Sequence, residues 1–219
     1  GVENSLEGKR WLARKVDDRQ TLAMSQRLQL PELVARVMAA RGIGLDDADV
    51  FLNPTLRDLL PNPSQLVNMD LAAERLATAI MQNETIGIFG DYDVDGATST
   101  ALLRRFIEAQ GGHANIYIPD RLKEGYGPNA PALLGMAQDG ASLVLTVDCG
   151  TAAFEPLSAA REAGLDVIVV DHHVPEPNLP TALAVINPNR LDDESGQGHL
   201  AAVGVAFLLV IAVNRVLRE

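Results

Sequence analysis

The central half of the sequence alternates short apolar segments with amphipathic ones, and this alternation restricts the possible folds more than any other feature. Five apolar segments have the length and the β-branched content of buried strands: residues 85–90, 115–119, 142–148, 166–171 and 182–187. Segments with helical periodicity lie between them: residues 97–110, 130–138 and 156–164. Strands that alternate with helices form a parallel sheet with helices on both faces, and ligands bind at the carboxyl ends of its strands. The sequence therefore predicts a parallel-sheet α/β domain.

The segment before residue 84 lacks this alternation. Apolar side chains at helical spacing predict an amphipathic helix over residues 31–43: Leu33, Val34, Val37 and Met38. Residues 52–66 contain three prolines, which predict a loop or a series of short turns. Asp70 can cap a further helix over residues 71–83.

We therefore expect two parts in the chain: a mainly helical leader at residues 1–83 and the α/β domain at residues 84–219. A strongly apolar helix is predicted for residues 200–217. Gly204 and a polar end interrupt its apolar surface, so it does not resemble a membrane span. We expect this helix to be buried in this domain or in a neighbouring one.

The charge and the cysteine content restrict the classes of function. The net charge is −11, which disfavours nonspecific attraction to nucleic acid, because phosphate binding depends on Lys and Arg. A local site is still compatible with this charge, since bound divalent cations would neutralise several carboxylates. The single cysteine, Cys149, excludes an internal disulfide and fits a reducing cytoplasm. No secretory signal is visible at the start of the sequence, and the predicted location is cytoplasmic.

Acidic and imidazole side chains follow three of the predicted strands. They are Asp91, Asp93 and Asp95 after the first strand, Asp148 at the end of the third, and Asp171, His172 and His173 at the end of the fourth. All three strand ends lie at the same edge of a parallel sheet. Alternate residues of an extended stretch point the same way, so the three aspartates after the first strand are expected to converge. Carboxylates this close repel one another unless a cation neutralises them, and the pattern therefore predicts a metal site.

Oxygen ligands combined with a neutral imidazole suit Mn²⁺ or Mg²⁺ better than zinc. Asp148, on the middle one of the three strands, is placed to bridge two ions, which is the arrangement used in phosphoester hydrolysis. Each residue alone has a simpler interpretation, because an Asp at a strand end often caps the next helix, and Asp95 before Gly96 fits that role. Capping does not explain three acidic strand ends in one sheet, so we favour the metal site.

Four motifs occur in order along the chain: GDYDVDGATS at 90–99, TVDCG at 146–150, VDHH at 170–173 and INPN at 186–189. In this order they resemble the first motifs of the DHH phosphoesterase superfamily, whose name comes from an Asp-His-His triplet. Three further segments resemble its RecJ branch: residues 41–63, 121–129 and 202–207. The resemblance extends from about Trp11 to the end of the sequence.

This resemblance implies a 5′→3′ exonuclease, a hydrolase that degrades single-stranded DNA in recombination and repair with two Mn²⁺ or Mg²⁺ ions. Its partners would be single-stranded DNA and other recombination or replication proteins, with no membrane. The implied metal ligands are Asp93, Asp95, Asp148 and His172, with Asp91 as an additional one.

The resemblance also implies roles around the metal ligands. His173 would contact the scissile phosphate as a donor or general acid, and Asp171 would orient a histidine. Arg121 lies in a segment that faces DNA in the family, and its guanidinium suits a phosphate, although a solvated loop arginine is the alternative interpretation.

Two departures from the family pattern have consequences. Some relatives have a histidine at the position of Phe89, so that ligand would either be absent here or be supplied by Asp91. The fourth metal-binding aspartate and the second lobe of the family would follow residue 219. We therefore expect a fragment with an incomplete catalytic domain, in which part of the apolar face of residues 200–217 is uncovered and favours self-association.

Other functions are open at this stage. The same metal ligands would serve an oligonucleotide RNase, a cyclic dinucleotide phosphodiesterase or a pyrophosphatase of this superfamily. A replication scaffold of the same fold is a non-catalytic alternative, although such scaffolds lose the metal ligands that this sequence keeps. A nucleotide-binding α/β domain has little support, because no glycine-rich phosphate-binding motif follows the first strand.

Overall fold

The computed structural model describes residues 2–218. It divides the chain into two compact units, Gly1–Pro61 and Asn62–Glu219. The predicted domain boundary between residues 83 and 84 stays a prediction. In the structure, the helix just before this boundary shares the hydrophobic core of the sheet.

Over residues 2–61, the first unit contains four helices: α1 (Asp18–Leu28), α2 (Glu32–Ala40), α3 (Ala48–Leu52) and α4 (Leu56–Leu59). They enclose a small core made of Met24, Ala35, Met38 and Ala48. The predicted amphipathic helix forms as α2, but its buried face is not the expected one, because Leu33 and Val37 are exposed. The small side chain of Ala35 lets α2 approach α1 closely, and Met38 fills the same face one turn later.

The second unit contains a five-stranded sheet, and all of its strands are parallel, as predicted. The strands are β1 (Thr85–Phe89), β2 (His113–Tyr117), β3 (Ala141–Val147), β4 (Asp166–Val170) and β5 (Ala184–Ile186). Their spatial order is β2-β1-β3-β4-β5. The chain order therefore reverses between β1 and β3, and the crevice outside the carboxyl ends of these strands is where ligands bind in open α/β sheets.

Helices cover both faces of the sheet, which confirms the predicted architecture. The helices of this unit are α5 (Met69–Met81), α6 (Val94–Ala109), α7 (Arg121–Glu124), α8 (Ala130–Gln138), α9 (Phe154–Glu162) and α10 (Ala202–Val216). One face packs against α5, α6 and α10, and the other against α8 and α9. Strand residues alternate between the two cores: Ile86 and Ile88 face the first, and Phe89 faces the second.

The long apolar helix α10 is buried on one face and partly uncovered on another. Val205, Leu209 and Val213 are fully buried between α5, α6 and the sheet. Phe207, Val210 and Ile211 lie at helical spacing on another face and are only partly buried. The expectation that part of the apolar face is uncovered is therefore confirmed, and the expected self-association stays a prediction.

The predicted cap of α5 was also wrong. The N-cap residue is Asn68, whose backbone is left-handed with φ of 66°, and Asp70 lies in the first helical turn. A carboxylate at this position still interacts favourably with the positive end of the helix. Within residues 2–218, no helix has the length and apolar character needed to span a membrane.

Candidate metal centre

The loop after β1 places two aspartates at the carboxyl edge of the sheet. The first turn of α6 packs tightly on Asp91: a Cβ atom at Gly96 would lie 2.6 Å from the Asp91 Cβ, so this position requires glycine. Asp93 is the N-cap of α6, and its Oδ1 accepts a hydrogen bond of 3.0 Å from the Gly96 amide. The expected extended stretch was therefore wrong, because the helix begins at Val94. Capping geometry, rather than strand alternation, brings the two carboxylates together.

Asp95 lies in the first turn of α6 but caps a different helix. Its two carboxylate oxygens accept hydrogen bonds of 2.8 Å from the amides of Ala202 and Val203, the first residues of α10. The N-cap residue of α10, Ala201, has no side-chain oxygen to do this. The interpretation of Asp95 as a cap of its own helix was therefore wrong, and Asp95 joins the N-termini of two helices.

Asp148 follows the central strand β3 in a left-handed conformation with φ of 59°. Its amide donates to the carbonyl of Val170, and its carbonyl accepts a hydrogen bond of 2.9 Å from the Tyr126 hydroxyl. Tyr126 stands between Gly125 and Gly127, whose φ values of 83° and 81° favour glycine. This loop thus presents a tyrosine that fixes the backbone of Asp148, an arrangement that the sequence motifs alone did not indicate.

Asp171 uses both carboxylate oxygens within the protein. Oδ1 accepts from the amides of His172 and His173 and lies 2.7 Å from the Nδ1 of His173, while Oδ2 accepts from the Thr151 amide. The side chain is 2% exposed. Its position matches a residue that orients His173, whose Nε2 is then directed away from Asp171.

Two asparagines of the INPN segment hold the histidine backbone, and sequence analysis had given them no role. The buried Asn187 side chain donates to the carbonyl of His173 and to the Thr151 hydroxyl. Asn189 donates to the carbonyl of His172. The sequence did contain a signal for this role: one asparagine, Asn187, directly follows a buried strand, and a second asparagine, Asn189, comes two residues later.

Four of the five predicted ligands, together with His173, form two overlapping groups around Asp148, and Asp95 belongs to neither group. One group contains Asp91, Asp93 and Asp148, the other contains Asp148, His172 and His173, and in each group the ligand atoms lie within 4.8 Å of one another. His172 Nε2 lies 3.4 Å from Asp148 Oδ1 and 3.6 Å from Asp95 Oδ2. Ligands of one octahedral ion lie about 3 Å apart when each is about 2.1 Å from the metal. The donors therefore fit divalent cations, and Asp148 is shared between the two groups.

The ionisation of these groups reflects their crowding. Burial, followed by repulsion from Asp95 and Asp93, raises the pKa of Asp148 to about 7. Burial and the nearby Asp93 also raise the pKa of Asp91. The Gly96 amide outweighs burial at Asp93 and lowers the pKa of that carboxyl. A bound cation would relieve this repulsion and favour the ionised form of all three aspartates.

In the Asp171–His173 pair, the surroundings favour the charged form of both side chains, in contrast to Asp148 and Asp91. Although burial acts to raise the pKa of Asp171, hydrogen bonds from His173 and Thr151 outweigh it and lower that pKa to about 2. The hydrogen bond to Asp171 outweighs burial at His173 and raises the pKa of the imidazole to about 8. A protonated His173 beside the cluster can donate a hydrogen bond to an anion.

Arg121, the first residue of α7, also lies at this edge. Its guanidinium carbon is 4.7 Å from the centre of the Tyr92 ring, a cation–π distance, and its charge acts to lower the pKa of Asp91. The exposed guanidinium therefore lies near the acidic cluster. All the residues predicted for the site are thus placed at one edge of the sheet.

The profile described as "DHH family, N-terminal domain" matches residues 85–218, which is more than half of the chain and includes the whole of this edge. The chain belongs to the DHH family. The triplet from which the family takes its name is Asp171, His172 and His173 in this chain. The three side chains occupy different environments. Asp171 is buried under the two histidines, and His172 and His173 face the cluster around Asp148.

Several known proteins are similar to this chain. The single-stranded-DNA-specific exonuclease RecJ of Bacillus subtilis (strain 168) is 39% identical over 205 residues, which are 93% of this chain and 26% of the relative. RecJ of Dickeya dadantii (strain 3937) is 40% identical over 191 residues, which are 87% of this chain and 32% of the relative. The chain thus spans about a quarter to a third of the length of these relatives.

Solved structures agree with the fold. The crystal structure of RecJ in complex with Mn²⁺ from Thermus thermophilus aligns with a TM-score of 0.73 and 29% identity, covering 94% of this chain and 28% of that one. A second crystal structure, exonuclease RecJ bound to manganese, aligns with a TM-score of 0.63 and 38% identity over 69% of this chain and 38% of that one. The parallel sheet and its helices are therefore those of a DHH domain.

Proposed function

We propose that this chain carries the metal-binding part of a 5′→3′ exonuclease that hydrolyses phosphodiester bonds of single-stranded DNA in recombination and repair in the cytoplasm. The single observation that carries the proposal is the presence of two groups of possible metal ligands that have Asp148 in common. Relatives named as single-stranded-DNA-specific exonucleases support the choice of substrate. Partners among recombination or replication proteins belong to the same proposal.

Two Mn²⁺ or Mg²⁺ ions would supply Lewis acidity and activate the attacking water. We assign Asp91, Asp93, Asp95, Asp148 and His172 as the residues that hold them. Asp148 would bridge the two ions, because it is the member common to both groups. The donor set of carboxylates and one imidazole fits these hard cations better than zinc, since no thiolate takes part.

The remaining residues act on the phosphate. His173 is held by Asp171 through Nδ1, which leaves Nε2 to donate a hydrogen bond to a phosphate oxygen or a proton to the leaving group. Arg121 would neutralise a second phosphate of the strand by bidentate pairing. These two cations compensate in part for the acidic charge of the chain at the point where DNA would bind.

The first experiment follows Mn²⁺ binding to this chain by calorimetry, beside Asp148→Ala. Binding to the unaltered chain that is lost in the variant is the expected result, because Asp148 belongs to both groups. Asp139→Ala, at an exposed helix end outside the site, is the matched control and should bind normally. Equal binding by Asp148→Ala would contradict the assignment.

The second experiment tests the substrate in the full-length protein that carries this sequence. We expect Mn²⁺-dependent release of mononucleotides from long single strands labelled at the 5′ end, and none from Asp148→Ala. Faster turnover of dinucleotides, cyclic dinucleotides or pyrophosphate would favour another DHH phosphoesterase. A protein that binds Mn²⁺ normally but degrades none of these would contradict the proposal.

A further inference from the structure

The turn that carries Arg121 is not held in place by a hydrophobic core. The helix α7 has four residues and none of them is buried, and its one large apolar side chain, Leu122, is 96% exposed. An isolated helical turn of this length is unstable in water, because its nucleation costs more than one hydrogen bond returns. The position of Arg121 therefore depends on polar contacts that join the turn to the rest of the domain.

The carboxylate of Glu124, the last residue of α7, makes three such contacts. Its Oε1 accepts a hydrogen bond of 2.8 Å from the backbone amide of Asp120, directly before the turn. Its Oε2 accepts from the Tyr117 hydroxyl at the end of β2 and, at 3.2 Å, from the side-chain amide of Asn129. One side chain thus connects the start of α7 with β2 and with the residue that precedes α8.

Both side-chain donors are fixed by other contacts. The Tyr117 ring stacks on the buried ring of Phe89, with 5.4 Å between the ring centres. Asn129 is the N-cap residue of α8 and accepts a hydrogen bond of 2.9 Å from the Ala132 amide. The Tyr117 hydrogen bond also lowers the pKa of Glu124, so its carboxylate is ionised at neutral pH and forms charge-assisted hydrogen bonds. The exposed turn is therefore attached to two elements that the core holds in place.

The contacts at the start of the turn are reciprocal. The Asp120 carboxylate accepts a hydrogen bond of 3.0 Å from the Leu122 amide, while Glu124 reaches back to the amide of Asp120. This is the arrangement of a capping box, with the acidic residue four positions after the cap instead of three. Arg121 lies between the two acidic residues, and its guanidinium lies over the Tyr92 ring. Loss of the Glu124 carboxylate would therefore free the backbone that carries Arg121.

We propose that Glu124 is a positioning residue that holds the Arg121 guanidinium beside the metal ligands for contact with the DNA backbone, an inference that rests on the proposed function. Tyr126 is attached independently, because its hydroxyl bonds to the carbonyl of Asp148 and because Gly125, with φ of 83°, separates it from α7. Glu124 is therefore expected to affect the binding of the strand and not the binding of metal.

The first test measures the position of Arg121 in the metal-free chain by NMR. Because an aromatic ring shifts the resonances of the protons above it, the side-chain protons of Arg121 report their contact with Tyr92. Tyr92→Leu removes the ring and defines the unshifted value. Glu124→Ala should move these resonances towards that value, and Glu124→Gln, which keeps an acceptor for the Asp120 amide, should retain more of the shift. A full Tyr92-dependent shift in Glu124→Ala would overturn the inference.

The second test measures the exonuclease kinetics of the full-length protein with Mn²⁺ on single-stranded DNA. Arg121→Ala should raise KM about tenfold through the loss of charged hydrogen bonds, with little change in kcat. Glu124→Ala should also raise KM, and the double variant should not exceed Arg121→Ala, because both changes remove the same contact. Glu108→Ala, which removes the same charge from an exposed position of α6, is the control and should not raise KM.

The sign of the change separates positioning from charge. Removal of an acidic side chain alone would favour the approach of DNA and lower KM, so a rise in KM in Glu124→Ala comes from the loss of the Arg121 contact. An unchanged KM in Glu124→Ala, or effects of the two single substitutions that multiply in the double variant, would overturn this inference alone. A full-length protein that degrades no single-stranded DNA with Mn²⁺ would overturn the proposed function, and this inference with it.

Discussion

The Asp95 carboxylate accepts a hydrogen bond of 2.8 Å from the backbone amide of Ala202, which is 107 residues further along the chain. The adjacent amide of Val203 donates to the other carboxylate oxygen at the same distance. A side chain predicted to bind metal is therefore also the cap of the most apolar helix of the domain. Because α10 packs in the main core, this contact ties the metal centre to the stability of the fold.

Asp95→Ala is expected to destabilise the metal-free chain by about 1–3 kcal/mol, because it leaves two amides at the start of α10 without acceptors. Urea unfolding in the presence of a chelator measures this change. Asp70→Ala is the matched control, since Asp70 also lies in the first turn of a helix but is exposed. A loss no larger than that of Asp70→Ala would show that the contact contributes nothing.

Asp148→Asn is expected to prevent Mn²⁺ binding and to stabilise the metal-free chain at pH 8. The folded pKa of about 7 lies above the ordinary value of 3.8, so ionised Asp148 destabilises the fold. This penalty is absent below about pH 4, grows as the pH rises and is complete above pH 7. The amide removes the charge, and asparagine tolerates the left-handed backbone of this position.

We expect a gain of about 1–2 kcal/mol from Asp148→Asn at pH 8 and a smaller gain at pH 5. Urea unfolding with a chelator at the two pH values measures the difference. A gain that is the same at both pH values would mean that burial of the ionised Asp148 carboxylate and its repulsion by Asp95 and Asp93 are not the source.

Asp171→Asn is expected to lower the pKa of His173 from about 8 towards the ordinary value of 6.5, because the hydrogen bond from the ionised carboxylate is lost. In the unaltered chain, this contact stabilises the fold fully below pH 6.5, and the contribution disappears as the pH rises through about 8. Histidine proton resonances followed by NMR titration of the metal-free chain report the pKa directly. Asp139→Asn should leave the titration unchanged, and an unchanged titration in Asp171→Asn would refute the pairing.

Tyr126→Phe removes the hydrogen bond to the Asp148 carbonyl but keeps the ring. We expect Mn²⁺ affinity to fall about fivefold, which corresponds to one hydrogen bond of about 1 kcal/mol. Calorimetry measures this change. Tyr117→Phe is the control, because the Tyr117 hydroxyl bonds to Glu124 instead of the cluster. An equal effect of the two substitutions would mean that Tyr126 does not position Asp148.

Much of the candidate site followed from one rule applied to the sequence. Buried strands that alternate with helices predict a parallel sheet, and the ends of parallel strands share one edge. The rule placed Asp91, Asp148 and His172 together without any knowledge of contacts, and the structure confirms their proximity. The family motifs then indicated the chemistry of the edge.

Local pattern did not reveal how these residues are held. Asp93 and Asp95 lie at the start of a helix instead of an extended stretch, because the Gly96 backbone packs directly on Asp91. The acceptor role of Asp95 depends on amides more than a hundred residues away. The hydrophobic periodicity of a strand or a helix carries no information on contacts between residues that lie so far apart in the sequence.

Residue type and spacing were enough to establish the succession of strands and helices, the acidic strand ends and the resemblance to the family. Three features emerged only from the packed chain: Asp148 is left-handed beside Tyr126, Asp95 caps α10, and α5 and α6 bury one face of α10. They arise when distant segments meet and their backbone groups must find partners. The choice of partner depends on the whole fold, since every buried donor and acceptor must be satisfied at once.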